Sequence, residues 1–325
     1  MEKIINGFIN IDKPRGITSH DVVDSIREIL DVQKVGHTGT LDPLATGVLP
    51  ICVGKATKLL DYIVVQKKRY RATMRLGIET ETGDSEGAVI RVFPKGDISE
   101  ARIREAMKGF IGGYLQIPPM YSAIKVGGVP LYKKARAGKV LARKPRQVSI
   151  EEMAFIQKVN EDVTFEVTCS KGTYIRSLCE DLGKALGIGA HLADLRRLQV
   201  GPFHIDKAIG LEKIKRFHER GQLGEVLYSM DEVLALPTLR VHSSISHRVL
   251  CGTSISRSGI LSMPKGLDEG TRFKVHNPKG DLLAIVSVLS EKKEPGLNSE
   301  EEPIFKVEKV LGFPFDLQLN HLRVT

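Results

Sequence analysis

The sequence lacks any apolar run long enough to cross a bilayer. Its longest stretches, such as Leu282 to Leu289, fall far short of the roughly 20 residues a spanning helix requires, so no membrane-spanning role is expected. Its first residues, Met1-Glu2-Lys3-Ile4-Ile5-Asn6-Gly7, carry neither a basic leader nor an apolar stretch with a small-residue cleavage site, and a cytoplasmic protein is expected. Cysteine is sparse: Cys52, Cys169, Cys179 and Cys251 are scattered, without a Cys-x-x-Cys pair or matching histidine spacing. That argues against a disulfide framework, a metal site or thiol chemistry, and all four are expected as small core residues. Internal repeats and low-complexity segments are absent as well, which excludes a solenoid.

Apolar side chains suffice for a sizeable core: 42% of the 325 residues are hydrophobic and 27% charged, the balance of an ordinary globular protein. That length suits two domains. Lys and Arg number 48 against 39 Asp and Glu, a formal net charge of +9. The excess is uneven, since residues 1–235 carry 36 basic and 29 acidic side chains while residues 236–325 carry 12 and 10. Between Lys125 and Gln147 stand Lys125, Lys133, Lys134, Arg136, Lys139, Arg143, Lys144 and Arg146 with no acid among them. A second acid-free cluster, Lys67, Lys68, Arg69, Arg71 and Arg75, surrounds Tyr70. Cations with an aromatic between them suit a phosphate backbone beside a stacked base. They equally suit a solvated face.

Periodicity places the elements. Thr18-Ser19 supplies an N-cap for a helix starting near residue 19, with Val22, Val23, Ile26, Ile29 and Leu30 along one stripe. Tyr70, Ala72, Met74 and Leu76 alternate with Arg71, Thr73 and Arg75, which predicts a strand with Tyr70 and the arginines on opposite faces. Ser99 caps a second helix through Ile103, Met107 and Phe110, expected to end at Gly112-Gly113. From Val126 to Pro145 glycine, proline and basic residues dominate, the mark of an excursion from the core that meets a partner. Val163, Phe165, Val167 and Cys169 alternate as a strand, Lys171-Gly172-Thr173 turns, and Ile175, Leu178, Leu182, Ala185 and Leu186 stripe a helix. Beyond Leu236-Pro237, short strands at Arg272 to His276 and Leu282 to Leu289, and an acidic loop at Glu294 to Glu302, describe a small β domain.

The segment Gly36-His37-Thr38-Gly39-Thr40-Leu41-Asp42-Pro43-Leu44-Ala45-Thr46-Gly47-Val48-Leu49-Pro50 is a shaped loop ahead of an apolar strand. Asp42 before Pro43 suits a turn, or an N-cap with proline at the first helical position, and His37 suits a surface or satisfied histidine. The stretch from His37 to Lys58 nevertheless resembles the catalytic-aspartate motif of the TruB family of tRNA pseudouridine synthases. Further segments resemble that family in the same order: Lys13-Pro14-Arg15-Gly16-Ile17-Thr18-Ser19, Tyr70 to Gly77 with Asp84 following, and Pro118-Pro119-Met120-Tyr121-Ser122-Ala123-Ile124-Lys125. Lys171-Gly172-Thr173-Tyr174-Ile175-Arg176-Ser177-Leu178 and then Leu195-Arg196-Arg197 with Gly201-Pro202-Phe203 complete the series. The resemblance covers residues 7–205, and the C-terminal segment is more loosely similar to the PUA RNA-binding module.

The resemblance implies an α+β pseudouridine synthase fold: a central mixed, mainly antiparallel sheet flanked by helices, plus a small C-terminal β-barrel-like PUA domain. It divides the chain into a catalytic domain, residues 1–235, with an RNA-clamping insertion at about 118–147, and a PUA-like RNA-binding domain, residues 236–325. It implies a cofactor-free isomerisation in which uridine is cut at its N-glycosidic bond, the base turns within the site, and C5 is rejoined to the ribose. Asp42 matches the catalytic carboxylate, which attacks the sugar C1′ or the base C6, or removes a sugar proton. Such a carboxylate must stay ionised in a closed site where burial raises its pKa, so a nearby cation is required; Arg176 matches that partner. Tyr70 matches the aromatic that stacks on the extruded base and helps to remove the C5 proton. Tyr174 and Leu195 complete the base pocket, and Asp84 shapes it. RNA contacts are implied for His37, which fills the space the flipped base leaves, and for Lys13, Lys125, Lys133, Lys134 and Arg136.

The expected substrate is the T-arm of tRNA, modified at position 55 of the tRNA by a monomer that needs no metal, no cofactor and no obligate protein partner. Two other readings stay open. One is a guide-RNA-dependent pseudouridine synthase subunit, the other an RNA-binding or RNA-folding module with dispensable catalysis. The Gly127-Gly128-Val129-Pro130-Leu131-Tyr132 insertion and the Gly83 to Gly87 loop resemble the stand-alone type.

Overall fold

The alternation around Tyr70 and the apolar stripe after Thr18 become a strand and a helix of one layered unit. In the computed structural model, which describes residues 5–94, 96–122, 124–138, 141–264, 268–289 and 302–312, this unit gathers residues 9–52 and 60–227. Its elements are β1 (Gly7–Lys13), α1 (Ser19–Leu30), β2 (Val35–His37), β3 (Thr46–Val53), α2 (Leu60–Val64), β4 (Lys68–Leu76), β5 (Ile78–Thr80) and β6 (Val89–Val92). They continue with α3 (Glu100–Lys108), β7 (Gly112–Gln116), β8 (Lys125–Val126), β9 (Val129–Pro130), α4 (Leu131–Arg136), β10 (Arg146–Val159), β11 (Asp162–Cys169), α5 (Ile175–Leu186), β12 (Ala190–Val200), β13 (Phe203–His204), α6 (Leu211–Glu219) and β14 (Leu227–Tyr228). Lys139, the side chain of Arg136 and residues 294–301 of the acidic loop lie outside the described residues.

The main sheet runs β14-β1-β3-β12-β4-β11-β10-β7, with β2 paired to β3 and β13 to β12. It is mixed and mainly antiparallel, β12 lying parallel to β3 and antiparallel to β4, as the expected fold class requires. Thr18 caps α1 through a capping box: its hydroxyl accepts from Asp21 N at 3.1 Å while the Asp21 carboxylate accepts from Thr18 N at 2.7 Å. The helix then buries Val22, Val23, Ile26 and Leu30. On β4, Tyr70, Ala72, Met74 and Leu76 are buried and the arginines between them exposed, because successive side chains leave a strand on opposite faces.

Gly47 shows how tightly the two parallel strands are drawn together. It pairs with Arg197 across β3 and β12, its φ is +99°, and a Cβ there would lie 2.2 Å from the Arg197 carbonyl oxygen. Gly47→Ala is therefore expected to destabilise the chain by about 2–3 kcal/mol, read as a lower urea midpoint with an unchanged slope.

Three local expectations are corrected. The helix capped by Ser99 stops at Lys108, with Gly109 as its C-cap, because Gly112, expected to end it, has a φ of +99° and opens β7 instead. The basic excursion is not wholly outside the core: Leu131 is buried, and its N–H donates to the Ile124 carbonyl at 2.7 Å. That bond ties α4 to the β8–β9 hairpin, whose turn glycines 127 and 128 have φ of +62° and +79°, as two-residue hairpin turns demand. Cys52, Cys169 and Cys179 are core residues as expected, while Cys251 is exposed.

The other unit gathers residues 5–8, residues 53–59 and the described residues between 228 and 312. It adds α7 (Met230–Val233), β15 (Thr238–Val241), α8 (Ser243–Leu250), β16 (Ile255–Ser256), β17 (Ile260–Ser262), β18 (Arg272–His276), β19 (Leu282–Val288) and β20 (Pro303–Val310). The six strands from β15 to β20 form a sheet in the order β16-β20-β19-β18-β15-β17 around Leu239, Val241, Val249, Phe273, Val275, Val286 and Phe305. Residues 53–59 are fastened to the end of β20, Lys58 Nζ donating to Val310 O at 2.9 Å. Among the described residues no helix is long and apolar enough to cross a membrane.

Candidate active site

The loop from residue 38 to residue 45 carries few large apolar side chains, so its shape comes from hydrogen bonds supplied by its neighbours. Ser19, the first residue of α1, brackets Leu41: its hydroxyl accepts from Leu41 N at 2.8 Å and donates to Leu41 O at 3.1 Å. Gly16 N donates to Pro43 O at 2.9 Å, and Ala45 N closes a turn on Asp42 O at 3.0 Å. The turn reading of Asp42-Pro43 thus holds for the backbone, and no helix begins there. Lys13 is fully buried; its ammonium donates to Ile17 O at 2.6 Å, Pro14 O at 2.9 Å and Pro43 O at 3.5 Å. The expectation of Lys13 as an RNA contact is corrected on that ground: a side chain with no exposed surface, spent on three carbonyls, braces the loop.

Pinned this way, the loop holds the Asp42 carboxylate over a cavity of about 540 Å³ whose wall also contains Tyr70, Asp84, Tyr174, Arg176, Leu195 and Arg197. Arg176, in the first turn of α5, is buried. Its guanidinium donates to Thr82 O at 3.0 Å and Tyr121 O at 2.7 Å, which fixes its plane. The same group lies 3.1 Å from the Asp42 carboxylate and 3.5 Å from that of Asp84. Asp84 is held in turn by the Thr82 hydroxyl at 2.5 Å and by Glu86 N at 3.1 Å. The enclosing walls push the Asp42 pKa up, Arg176 draws it down and Asp84 adds to the rise; the net direction is upward. One cation is therefore shared between two carboxylates, and Arg176 is the main charge that favours the Asp42 anion against burial.

Tyr70 enters the cavity from β4, Leu195 and Arg197 from β12, and Tyr174 from the residue just before α5. Cross-strand register places Arg197 opposite Tyr70 and Leu195 opposite Ala72. His37, on β2, is half-buried and lies outside the cavity wall; its Nδ1 accepts from Gly39 N at 3.2 Å. Burial, and then the charge of Arg197, lower the His37 pKa, so the imidazole is neutral near pH 7.

Two residues of the site escaped the sequence reading. Gln116, at the end of β7, is buried and grips both sides of the Tyr174 peptide, accepting from Tyr174 N at 2.8 Å and donating to Tyr174 O at 3.1 Å. Nothing in a glutamine before two prolines announces that. Arg197 had a signal: at two residues beyond Leu195 on a strand it must share that side chain's face.

The two cationic clusters have different fates. On β4, Arg69 and Arg71 both bind Glu166, at 2.6 and 2.7 Å, and Arg75 binds Asp162 at 2.6 Å. Burial works to raise the Glu166 pKa, yet the hydrogen bonds from Arg71 and Arg69 hold it below the usual carboxylate range. Lys67 pairs with Glu151, and Lys68 is buried, donating to Val64 O and Gln66 O. Of the two readings of the cluster around Tyr70, phosphate binding is the less favoured: acids distant in sequence pair with Arg69, Arg71, Arg75 and Lys67 across β11 and β10. In the excursion, by contrast, Lys125 and Lys133 are exposed, and among the described residues no carboxylate pairs with either of them or with Lys134.

Comparison with known proteins agrees with this geometry. Residues 27–175 match the N-terminal domain of the TruB family pseudouridylate synthases, and residues 176–235 the tRNA pseudouridylate synthase B C-terminal domain. A tRNA pseudouridine synthase B of Geobacter sulfurreducens is 43% identical over 88% of this chain and 94% of its own length. One of Burkholderia pseudomallei is 41% identical over 87% and 93%. Among solved structures, a Cbf5-Nop10-Gar1 complex matches with a TM-score of 0.73 at 31% identity, covering 94% of this chain and 85% of that chain. An H/ACA RNP bound to a substrate RNA containing 2′-deoxyuridine matches with a TM-score of 0.73 at 29% identity, covering 95% and 86%. With family models matched from residue 27 to residue 235 and relatives above 40% identical over most of its length, this chain belongs to the TruB family of pseudouridylate synthases.

Proposed function

We propose that this chain acts alone to convert the T-loop uridine of tRNA, position 55 of the tRNA, to pseudouridine. The observation that carries the reading is the ion pair of Asp42 with Arg176, whose guanidinium is fixed by two backbone carbonyls, facing Tyr70 across a cavity of about 540 Å³. That volume suits a flipped nucleoside. In the proposed reaction Asp42 is the catalytic carboxylate and Arg176 keeps it ionised. Tyr70 stacks on the base, with Tyr174 and Leu195 around it, while the N1–C1′ bond breaks and a C5–C1′ bond forms. One proton leaves C5 and one arrives at N1, so substrate and product have the same atoms and no co-substrate is consumed. His37 takes up the place of the extruded base, and Lys125, Lys133, Lys134 and Arg136 hold the T-arm. The C-terminal segment, residues 236–325, serves as a PUA-like RNA-binding domain.

The structural likeness to Cbf5 assemblies favours a second reading, a guide-dependent subunit. Tritium release from T-arm RNA labelled at uridine C5 separates the two: the stand-alone reading expects stoichiometric release with protein and RNA alone, and a strict requirement for guide RNA or partner proteins overturns it.

For the excursion, the double substitution Lys133→Ala with Lys134→Ala is expected to weaken T-arm binding. It should also make the slope of log affinity against log salt shallower by about 1.5, because two fewer phosphates are neutralised and fewer counterions released. An unchanged slope would remove these lysines from the RNA interface.

A further inference from the structure

Arg197 is a buried cation that the site as described leaves without a task. It is 1% exposed, sits in the cavity wall, and donates to Val48 O at 2.6 Å and Gly39 O at 3.0 Å. Among the described residues no carboxylate faces it; the neighbouring Arg196, on the other face of β12, takes Asp12 at 2.8 Å. A buried charge without an opposite charge is costly to keep, and two carbonyls could be served by neutral donors. Among the described residues, the group beside it able to become an anion is the Tyr70 phenol, its partner across the β12–β4 register. We propose that Arg197 is a positioning residue for Tyr70, its guanidinium holding the phenol oxygen as an anion at the moment the C5 proton of the turned base is removed. This rests on the uridine-isomerising reading of the cavity.

The step balances without any oxidant or reductant. Tyr70 gives its hydroxyl proton to water, the phenolate oxygen takes the proton from C5 as the C5–H electron pair returns to the ring, and a proton from water arrives at N1. The net change is one proton moved from C5 to N1, with the phenol regenerated. Burial raises the Tyr70 pKa and Arg197 opposes that rise. Of the other groups facing the phenol, the Asp42 anion on the pinned loop opposes the phenolate, while Cys169 on β11 is itself pushed up to about 11 by burial and stays neutral. Arg197 is thus the cation set against both burial and Asp42.

The test is single-turnover kinetics on T-arm RNA carrying protium or deuterium at C5 of the target uridine, with Arg197→Met, Arg197→Lys, Tyr70→Phe and the Arg197→Met, Tyr70→Phe pair. Arg197→Met is expected to keep RNA affinity within about 3-fold, to slow turnover on the order of 100-fold, to move the rise of rate to higher pH, and to enlarge the C5 deuterium isotope effect over that of the native chain. Arg197→Lys should recover most of the rate. In the Tyr70→Phe background Arg197→Met should cost less than about 3-fold more, because both changes remove the same interaction. Losses that multiply in the double variant, or an unchanged isotope effect and pH profile, overturn the proposal and leave Arg197 as a brace for β3. Should Arg197→Met not fold, the pH profile of Arg197→Gln, which also removes the charge, decides in the same way. A native chain that releases no C5 proton from any RNA overturns the isomerase reading as well, whereas normal native release with an unshifted variant profile overturns only the assignment of Arg197.

Discussion

Asp42→Asn is expected to lower C5 tritium release on the order of 10⁴-fold or more, with T-arm RNA still bound. The amide has the size of the carboxylate but neither its charge nor its nucleophilicity. The loop itself should not move, since its geometry is set by Ser19, Gly16 and Lys13 acting on main-chain groups of Leu41 and Pro43, none of which involves the Asp42 carboxylate. Arg176 also stays in place, because Thr82 O, Tyr121 O and Asp84 continue to hold it. The substitution therefore isolates the chemistry from the fold, and thermal unfolding should confirm that by an unchanged midpoint. Near-native release by Asp42→Asn would show that another group breaks the glycosidic bond.

Arg176→Met is the second large effect, and its signature is a pH dependence. Without the guanidinium, Asp42 keeps the upward push of burial and of Asp84 and loses its main opposing charge. Its pKa then rises further, so a higher pH is needed to ionise it. At neutral pH the rate should fall roughly 10²–10³-fold, and raising the pH should recover part of the loss as the acidic limb of the rate profile shifts upward. Arg176→Lys keeps a charge but cannot serve two carbonyls and two carboxylates from one planar group, and it should fall between the native chain and Arg176→Met. A rate that falls equally at every pH would show that Arg176 acts on the substrate rather than on Asp42.

Much of this was legible in the residues. The Thr18 cap, the inward Tyr70 with outward arginines and the strand, turn and helix around Lys171-Gly172-Thr173 follow from period and capping chemistry alone. The resemblance led to Asp42, Arg176, Tyr70, Tyr174 and Leu195, and all five stand around one cavity. Long-range pairing was not legible. Glu166 lies far along the chain from Arg69 and Arg71, and only the β11–β4 register sets it between them. Lys13 reads as one more cation until the path of residues 14–17 and 43 closes three carbonyls over it. Gln116 gives no signal in the sequence; it is buried because main-chain groups of Tyr174 satisfy both ends of its amide.

The neutralised face of β4 bears on how this chain meets a polyanion. With Arg69, Arg71 and Arg75 screened by Glu166 and Asp162, the attraction that the net charge of +9 exerts is not spread evenly over the surface. It acts where cations have no carboxylate beside them among the described residues, Lys125 and Lys133 being two of these. A polyanion near such a surface is pulled unevenly, over a range set by the Debye length. Acids that silence one face of a sheet thereby give the field a direction, so the carboxylates of β11 shape it without any contact with a polyanion.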